Sequence, residues 1–232
     1  MRRWGWTVSF LLALFFLGLH SAEAIPILNL CNTGQAAGCV GALAEGSVDP
    51  NYVLFAAPAP FTPGTSKVVS TVGFPFPPWI ANDADSQWIG PTAATTADSD
   101  GPVGDYTYRT TFSLAGLDPS TASISGFWST DNAGLDILIN GVSTGQSIPT
   151  IFAFMALSPF SITSGFIPGV NTLDFVLNNE GGPTGLRVDS IVGTASATPP
   201  PRAVTPVPEP TSLLLFGSGL AGIAAFRHRR RR

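Results

Sequence analysis

Residues 106–114 read Tyr-Thr-Tyr-Arg-Thr-Thr-Phe-Ser-Leu. In an extended chain successive side chains point to opposite faces, so Tyr106, Tyr108, Thr110, Phe112 and Leu114 share one face, and Thr107, Arg109, Thr111 and Ser113 share the other. A largely apolar face backed by a polar one is the pattern of an antiparallel strand with one side buried. The same period of two recurs in Leu135, Ile137 and Ile139, and in Leu173, Phe175 and Leu177. A last strand is predicted with Leu186, Val188, Ser190 and Val192 on one side and Arg187 and Asp189 facing away. Asn140-Gly141 is a hairpin signal, because both central residues of a type I′ turn need positive φ. Pro168-Gly169 and Gly181-Gly182-Pro183 mark further turns. No comparable stretch keeps helical spacing over three turns. The reading is an all-β body, an antiparallel β-sandwich or jelly roll. Trp128 shares a face with Ile124 and is assigned to the core, and the apolar run 151–157 is expected to be buried.

With 232 residues the chain has room for one domain once both ends are set aside as targeting segments. The body, 25–198, is long enough to bury a core of its own. The net charge of −4 conceals a more acidic body, because Arg2, Arg3, Arg227 and Arg229 to Arg232 lie at the extremities. Between 25 and 205 four bases (Lys67, Arg109, Arg187 and Arg202) stand against thirteen acids, a net of −9. Such a body repels phosphate backbones, which argues against nucleic acid as a partner and favours neutral ligands or cations. Cys31 and Cys39 are close enough to close a small loop in an oxidising compartment, and a disulfide is expected. The rival is a metal pair, but two thiols make a poor zinc site when both histidines, His20 and His228, lie in the end segments.

The first 24 residues have a charged start, an apolar run over 8–19 and small residues at Ser21, Ala22 and Ala24. Together these describe a secretory signal peptide read by the Sec export machinery, with cleavage after Ala24; a retained helical anchor is the alternative. At the other end a Pro-rich linker (199–207) precedes Pro208-Glu209-Pro210, an apolar segment (211–226) and a terminal arginine cluster. The linker is expected to be an extended spacer. The apolar segment, at about 1.5 Å per residue, reaches about 24 Å as a helix, and flanking arginines can snorkel, so a single transmembrane helix is feasible. The arginine cluster then stays on the cytoplasmic side and the body lies outside.

This tripartite tail, 208–232, resembles the PEP-CTERM sorting domain of Gram-negative bacteria. The resemblance implies recognition by a membrane-embedded exosortase, tethering in the inner membrane before processing, and then a place at the cell surface or in the extracellular space. It also implies an association with exopolysaccharide production. The alternative is an ordinary tail anchor in which Pro-Glu-Pro is spacer.

The body carries a second resemblance in Tyr-Thr-Tyr-Arg-Thr-Thr-Phe (106–112), Gly-Phe-Trp-Ser-Thr-Asp-Asn (126–132), Leu-Asp-Ile-Leu-Ile-Asn-Gly (135–141) and Pro-Gly-Val-Asn-Thr-Leu-Asp-Phe-Val-Leu-Asn-Asn (168–179). In this order they are similar to the galactose-binding-domain-like jelly roll, which implies carbohydrate binding as an accessory module. Sugars stack on flat aromatic faces flanked by polar side chains. Trp88, Asp131, Asn132, Asn179 and Arg187 are therefore the candidate ligand rim. Asp98 and Asp100 in a glycine-containing loop, with Asp105 following, are candidate calcium ligands to which Asp83 and Asp85 can add, although the EF-hand spacing is missing and a solvated acidic loop is the alternative. No other cofactor is expected. Without a histidine or a free thiol the body offers no usual hydrolase triad, and no carboxylate pair stands out for glycoside hydrolysis. The expected protein is a non-catalytic surface or matrix module that contacts exopolysaccharide. The alternatives are a structural matrix protein that binds no glycan and a secreted glycosidase.

Overall fold

A computed structural model describes residues 23–93, 101–200 and 226–227. The chain divides into two compact units, Met1–Thr198 and Pro199–Arg232. In the second, Phe226 and Arg227 are helical. The predicted membrane helix, 211–226, lies outside the described residues except for Phe226, as does most of the predicted signal peptide. Among the described residues no helix is long and apolar enough to cross a membrane.

The described part of the first unit is all-β. Its strands are β1 (Ala24–Pro26), β2 (Gln35–Ala36), β3 (Val40–Ala42), β4 (Val48–Ala56), β5 (Gly64–Val68), β6 (Ile89–Gly90), β7 (Gly104–Ser113), β8 (Ser123–Asp131), β9 (Gly134–Ile139), β10 (Val142–Ser143), β11 (Ser158–Ile162), β12 (Val170–Asn179) and β13 (Gly185–Ser196). Apart from the β2–β3 pair they form one sheet in the order β10-β9-β12-β7-β4-β5-β6-β13-β8-β11, with β1 also paired to β13. The sheet curls until its two halves face each other. Phe175 of β12 in one half meets Trp128 of β8 and Phe160 of β11 in the other, each at 5.8 Å between ring centroids.

The strand that opened the reading behaves as its pattern requires. Tyr106, Tyr108, Thr110, Phe112 and Leu114 are all buried. β7 pairs with β12 without a break from Val170↔Ser113 to Asn179↔Gly104. On the outer face of this ladder Arg109 and Asp174 stand directly opposite and form a bidentate ion pair at 2.6 and 2.7 Å, with the guanidinium 3.4 Å over the Phe55 ring. The hairpin forms at Asn140-Gly141, both at positive φ (52° and 78°), and joins β9 to β10. Cys31 and Cys39 are disulfide-bonded, and Trp128 is core.

Three expectations are corrected, each for a local reason. β13 carries a bulge between Asp189 and Val192, with Ser190 at φ +51°. The extra residue reverses the alternation, so Ile191 points inward and Val192 is exposed. Leu135 is exposed because it is the unpaired residue where the β9–β12 register slips: Val176 pairs with Asp136 and Leu177 with Gly134. The run 151–157 is not buried. It forms a turn of 3-10 helix, Ala153–Met155, that buries Ala153 and leaves Ile151, Phe152 and Met155 exposed.

Two stability predictions follow from this packing. Phe175→Ala should cost about 3–5 kcal/mol in urea unfolding, against about 1 kcal/mol or less for the outward-facing Val176→Ala. Replacing both cysteines by serine should cost about 2–3 kcal/mol, the chain-entropy value for so short a loop, and reducing agent should shift the wild type and leave the double variant unchanged.

Candidate functional site

Four of the five expected rim residues lie in the interior, which corrects the reading of an open sugar platform. On β8 and β13 the inner face is core, and at one end the outer face is covered as well. The segment 69–88 and the half-buried Phe154 fold over it and form a second apolar cluster of Val69, Trp79 and Trp88. Trp88 is fully buried, packed on Trp79 with centroids 4.1 Å apart, and its indole N–H donates to the Ile80 carbonyl at 2.9 Å. No face of Trp88 remains for a pyranose ring. Trp79 can approach the sheet this closely because position 185 is glycine: a Cβ there would sit 2.7 Å from the Trp79 Cη2.

The polar members are buried with it. Arg187 points away from the core, as the alternation requires, but is only 1% exposed. Its guanidinium donates to Ser86 Oγ at 2.8 Å, to Asp83 Oδ2 at 2.5 Å and to the Ala81 carbonyl, and so straps the 81–86 loop onto β13. Burial works against the Asp83 charge, but the Asp85 and Ser86 backbone N–H groups and the Arg187 guanidinium hold its carboxyl below the ordinary value. Asn179 is buried and donates to the Gly101 carbonyl at 2.8 Å. Asn132, the half-buried member, accepts from the Glu180 N–H at 2.7 Å and donates to the Ile151 carbonyl.

Asp131 is the chemically unusual residue of this layer. Oδ2 accepts from the Trp79 indole N–H at 2.8 Å, while Oδ1 is buried without a hydrogen-bond partner among the described residues. Burial pushes its carboxyl up to about 7, against the smaller opposing effect of the Trp79 hydrogen bond. Trp79 is the partner that sequence reasoning did not single out. Its only local signal is the Phe-Pro-Phe-Pro-Pro run at 74–78 that delivers it to the sheet.

Of the candidate calcium ligands, Asp98 and Asp100 lie outside the described residues. Asp105 is exposed and accepts from the Asn178 side chain at 2.8 Å, and Asp83 is engaged by Arg187. Among the described residues no group of three His, Cys, Asp or Glu could hold a metal ion. The sorting residues Pro208, Glu209 and Pro210 lie outside the described residues.

An open groove of about 330 Å³ lies elsewhere, between β10 and β11. Its walls include Ser143, Thr144, Gln146, Ser161, Thr163 and Ser164. The only trace of it in the sequence is two Ser/Thr-rich turns at 143–147 and 161–164, a composition common to many turns.

The Asp131 geometry makes a prediction with a definite sign. Unfolded, this carboxyl titrates near its ordinary 3.8, whereas folded it holds its proton up to about 7. Across that window the folded protein keeps a proton that the unfolded chain has released, so stability falls as pH rises. From pH 4 to pH 7 the wild type should lose about 2–4 kcal/mol relative to Asp131→Asn, which keeps an acceptor for Trp79 and carries no charge. Parallel stability curves for the two proteins across this range would show that Asp131 is not the group responsible.

Among curated proteins none matches the sequence. Solved structures with some likeness include a cyclase from Fischerella sp. TAU (11% identity, TM-score 0.45, covering 78% of this chain and all of that one). A Stig cyclase from the same source, in complex with an indole derivative, follows at 10% identity and TM-score 0.44, covering 76% of this chain and all of its own. The CBM36-1 domain of a multidomain xylanase from the hindgut metagenome of Trinervitermes trinervoides has 10% identity and TM-score 0.28, with 76% and 100% covered. These likenesses assign the chain no activity. At 206–231 the sequence matches the PEP-CTERM protein-sorting motif, and this is a chain that carries that sorting signal.

Proposed function

We propose that this protein is an exported, non-catalytic surface or matrix module, handed to an exosortase through its tail and associated afterwards with exopolysaccharide. The observation that carries the reading is the sorting motif at 206–231, which implies export and exosortase processing at the surface of a Gram-negative bacterium. Two features of the body agree with that destination. The Cys31–Cys39 disulfide suits an oxidising compartment, and an acidic, nearly base-free body suits neutral partners. Apolar segment 211–226 would hold the chain in the inner membrane until processing, with the arginines on the cytoplasmic side. A second reading, a structural matrix protein held by protein contacts, draws on the exposed Ile151, Phe152 and Met155, which a partner surface could cover.

Fractionation in an exosortase-bearing host tests the sorting step. The wild type should be recovered in a shortened form at the surface or in the medium. Glu209→Ala, or deletion of Pro208-Glu209-Pro210, should leave the full-length chain in the membrane fraction. A variant processed and distributed like the wild type would remove exosortase sorting from the account.

A further inference from the structure

We propose that the groove between β10 and β11 binds a short uncharged segment of a polysaccharide. This rests on the glycan-association reading and gives it a place and a selectivity.

β10 and β11 are the two ends of the strand order. Among the described residues β10 pairs only with β9 and β11 only with β8, so the curled sheet is left open along a seam, and the groove runs between these edges. The buried Ile139 and Ile162 contribute an apolar floor. Above it Gln146, Ser161, Thr163 and Ser164 make no side-chain hydrogen bond to the described residues, whereas Ser143 accepts from the Gly145 N–H and Thr144 donates to the Ile137 carbonyl. Four hydroxyl and amide groups without a side-chain partner among the described residues are therefore available along the groove.

Each of these groups both donates and accepts, and so does a sugar hydroxyl. No charged side chain among the described residues lines the groove, so nothing in it would compensate a carboxylate or sulfate, and the net charge of −9 between 25 and 205 repels polyanions further. On the β10 side an extended peptide is a poorer fit, because that strand is two residues long and offers too little edge to template an added strand. The volume is at the small end of ligand sites, about 300–1,000 Å³, which fits a short segment held weakly.

The wall is held in place before any ligand arrives. Gly165, at φ +87°, lets its loop settle on β9, where a Cβ would stand 2.4 Å from the Ile139 Cγ2. The Asn140 side chain then donates to the Gly165 carbonyl at 2.9 Å and ties the loop to the hairpin.

The test is co-sedimentation of the full-length protein with the host's exopolysaccharide, with insoluble xylan, mannan and cellulose as neutral probes and polygalacturonate as the anionic one. Two variants at exposed positions accompany it, Thr163→Ala/Ser164→Ala and the groove-filling Ser164→Trp, each required to melt as the wild type does. Saturable binding to a neutral probe, weakened about tenfold in the double variant and lost in Ser164→Trp, is the expected result. Neutral binding that both variants retain would overturn the groove and leave glycan association standing. Absence of wild-type binding to every neutral probe, or a preference for polygalacturonate, would overturn the proposal, and absence of binding to the host's exopolysaccharide and to every probe would overturn glycan association with it.

Discussion

Phe175 sits where the sheet closes on itself. It is fully buried on β12 and its ring meets Tyr52 of β4 in the same half of the strand order, and Trp128 of β8 and Phe160 of β11 at the other end of it. A flat sheet of this width would leave its apolar face in water, and strand twist alone gives curvature without a partner surface. The aromatic contacts across the interior supply that partner surface, because each half covers the other. Gly134 belongs to the same arrangement: a Cβ there would stand 2.6 Å from the Trp128 Cη2, so the indole reaches the opposite half only over a bare backbone.

Curling leaves a second face to be covered, and the molecule covers part of it at an electrostatic cost. The segment 69–88 lies over the outer side of β8 and β13 and brings Trp79 and Trp88 onto it, which buries Arg187 and Asp131 as well. These two residues meet burial in opposite ways. Arg187 has its donors taken up by Asp83, Ser86 and the Ala81 carbonyl, and it gains a role in holding the cover down. Asp131 has one donor for two oxygens, and neutralisation is the cheaper course. A polar layer that looked like a ligand rim is therefore a joint between cover and sheet.

The sequence made the periodic parts of this structure legible and left the aperiodic parts obscure. The alternation in 106–114 and 173–177 reports burial directly, and Asn140-Gly141 carries its conformational demand in its residue types. The disulfide was legible from spacing and compartment. A bulge breaks the same logic without a signature: Ser190 at positive φ gave no warning that Val192 would turn outward, and the slip at Leu135 came from pairing with β12 rather than from its own neighbours. The burial of Trp88 and Arg187 depended on residues about a hundred positions apart in sequence meeting on one face, which a pattern of period two cannot report. The groove was hidden for the same reason, because its walls come from two turns on strands at opposite ends of the sheet.

The chemistry left at the surface bears on how such a module would work. A small, uncharged groove holds one short segment with few hydrogen bonds, and each neutral bond contributes on the order of 1 kcal/mol net. Affinity for a single segment is then low. In a matrix a polysaccharide presents the same segment many times, and a protein retained near it rebinds at a high effective concentration, so weak contacts accumulate without any one becoming irreversible. On this view delivery by the sorting tail and weak recognition by the body would be complementary: the tail would bring the protein to the place where repetition makes a modest site sufficient. The same weakness lets the protein move along the polymer, which a deep or strongly charged site would prevent.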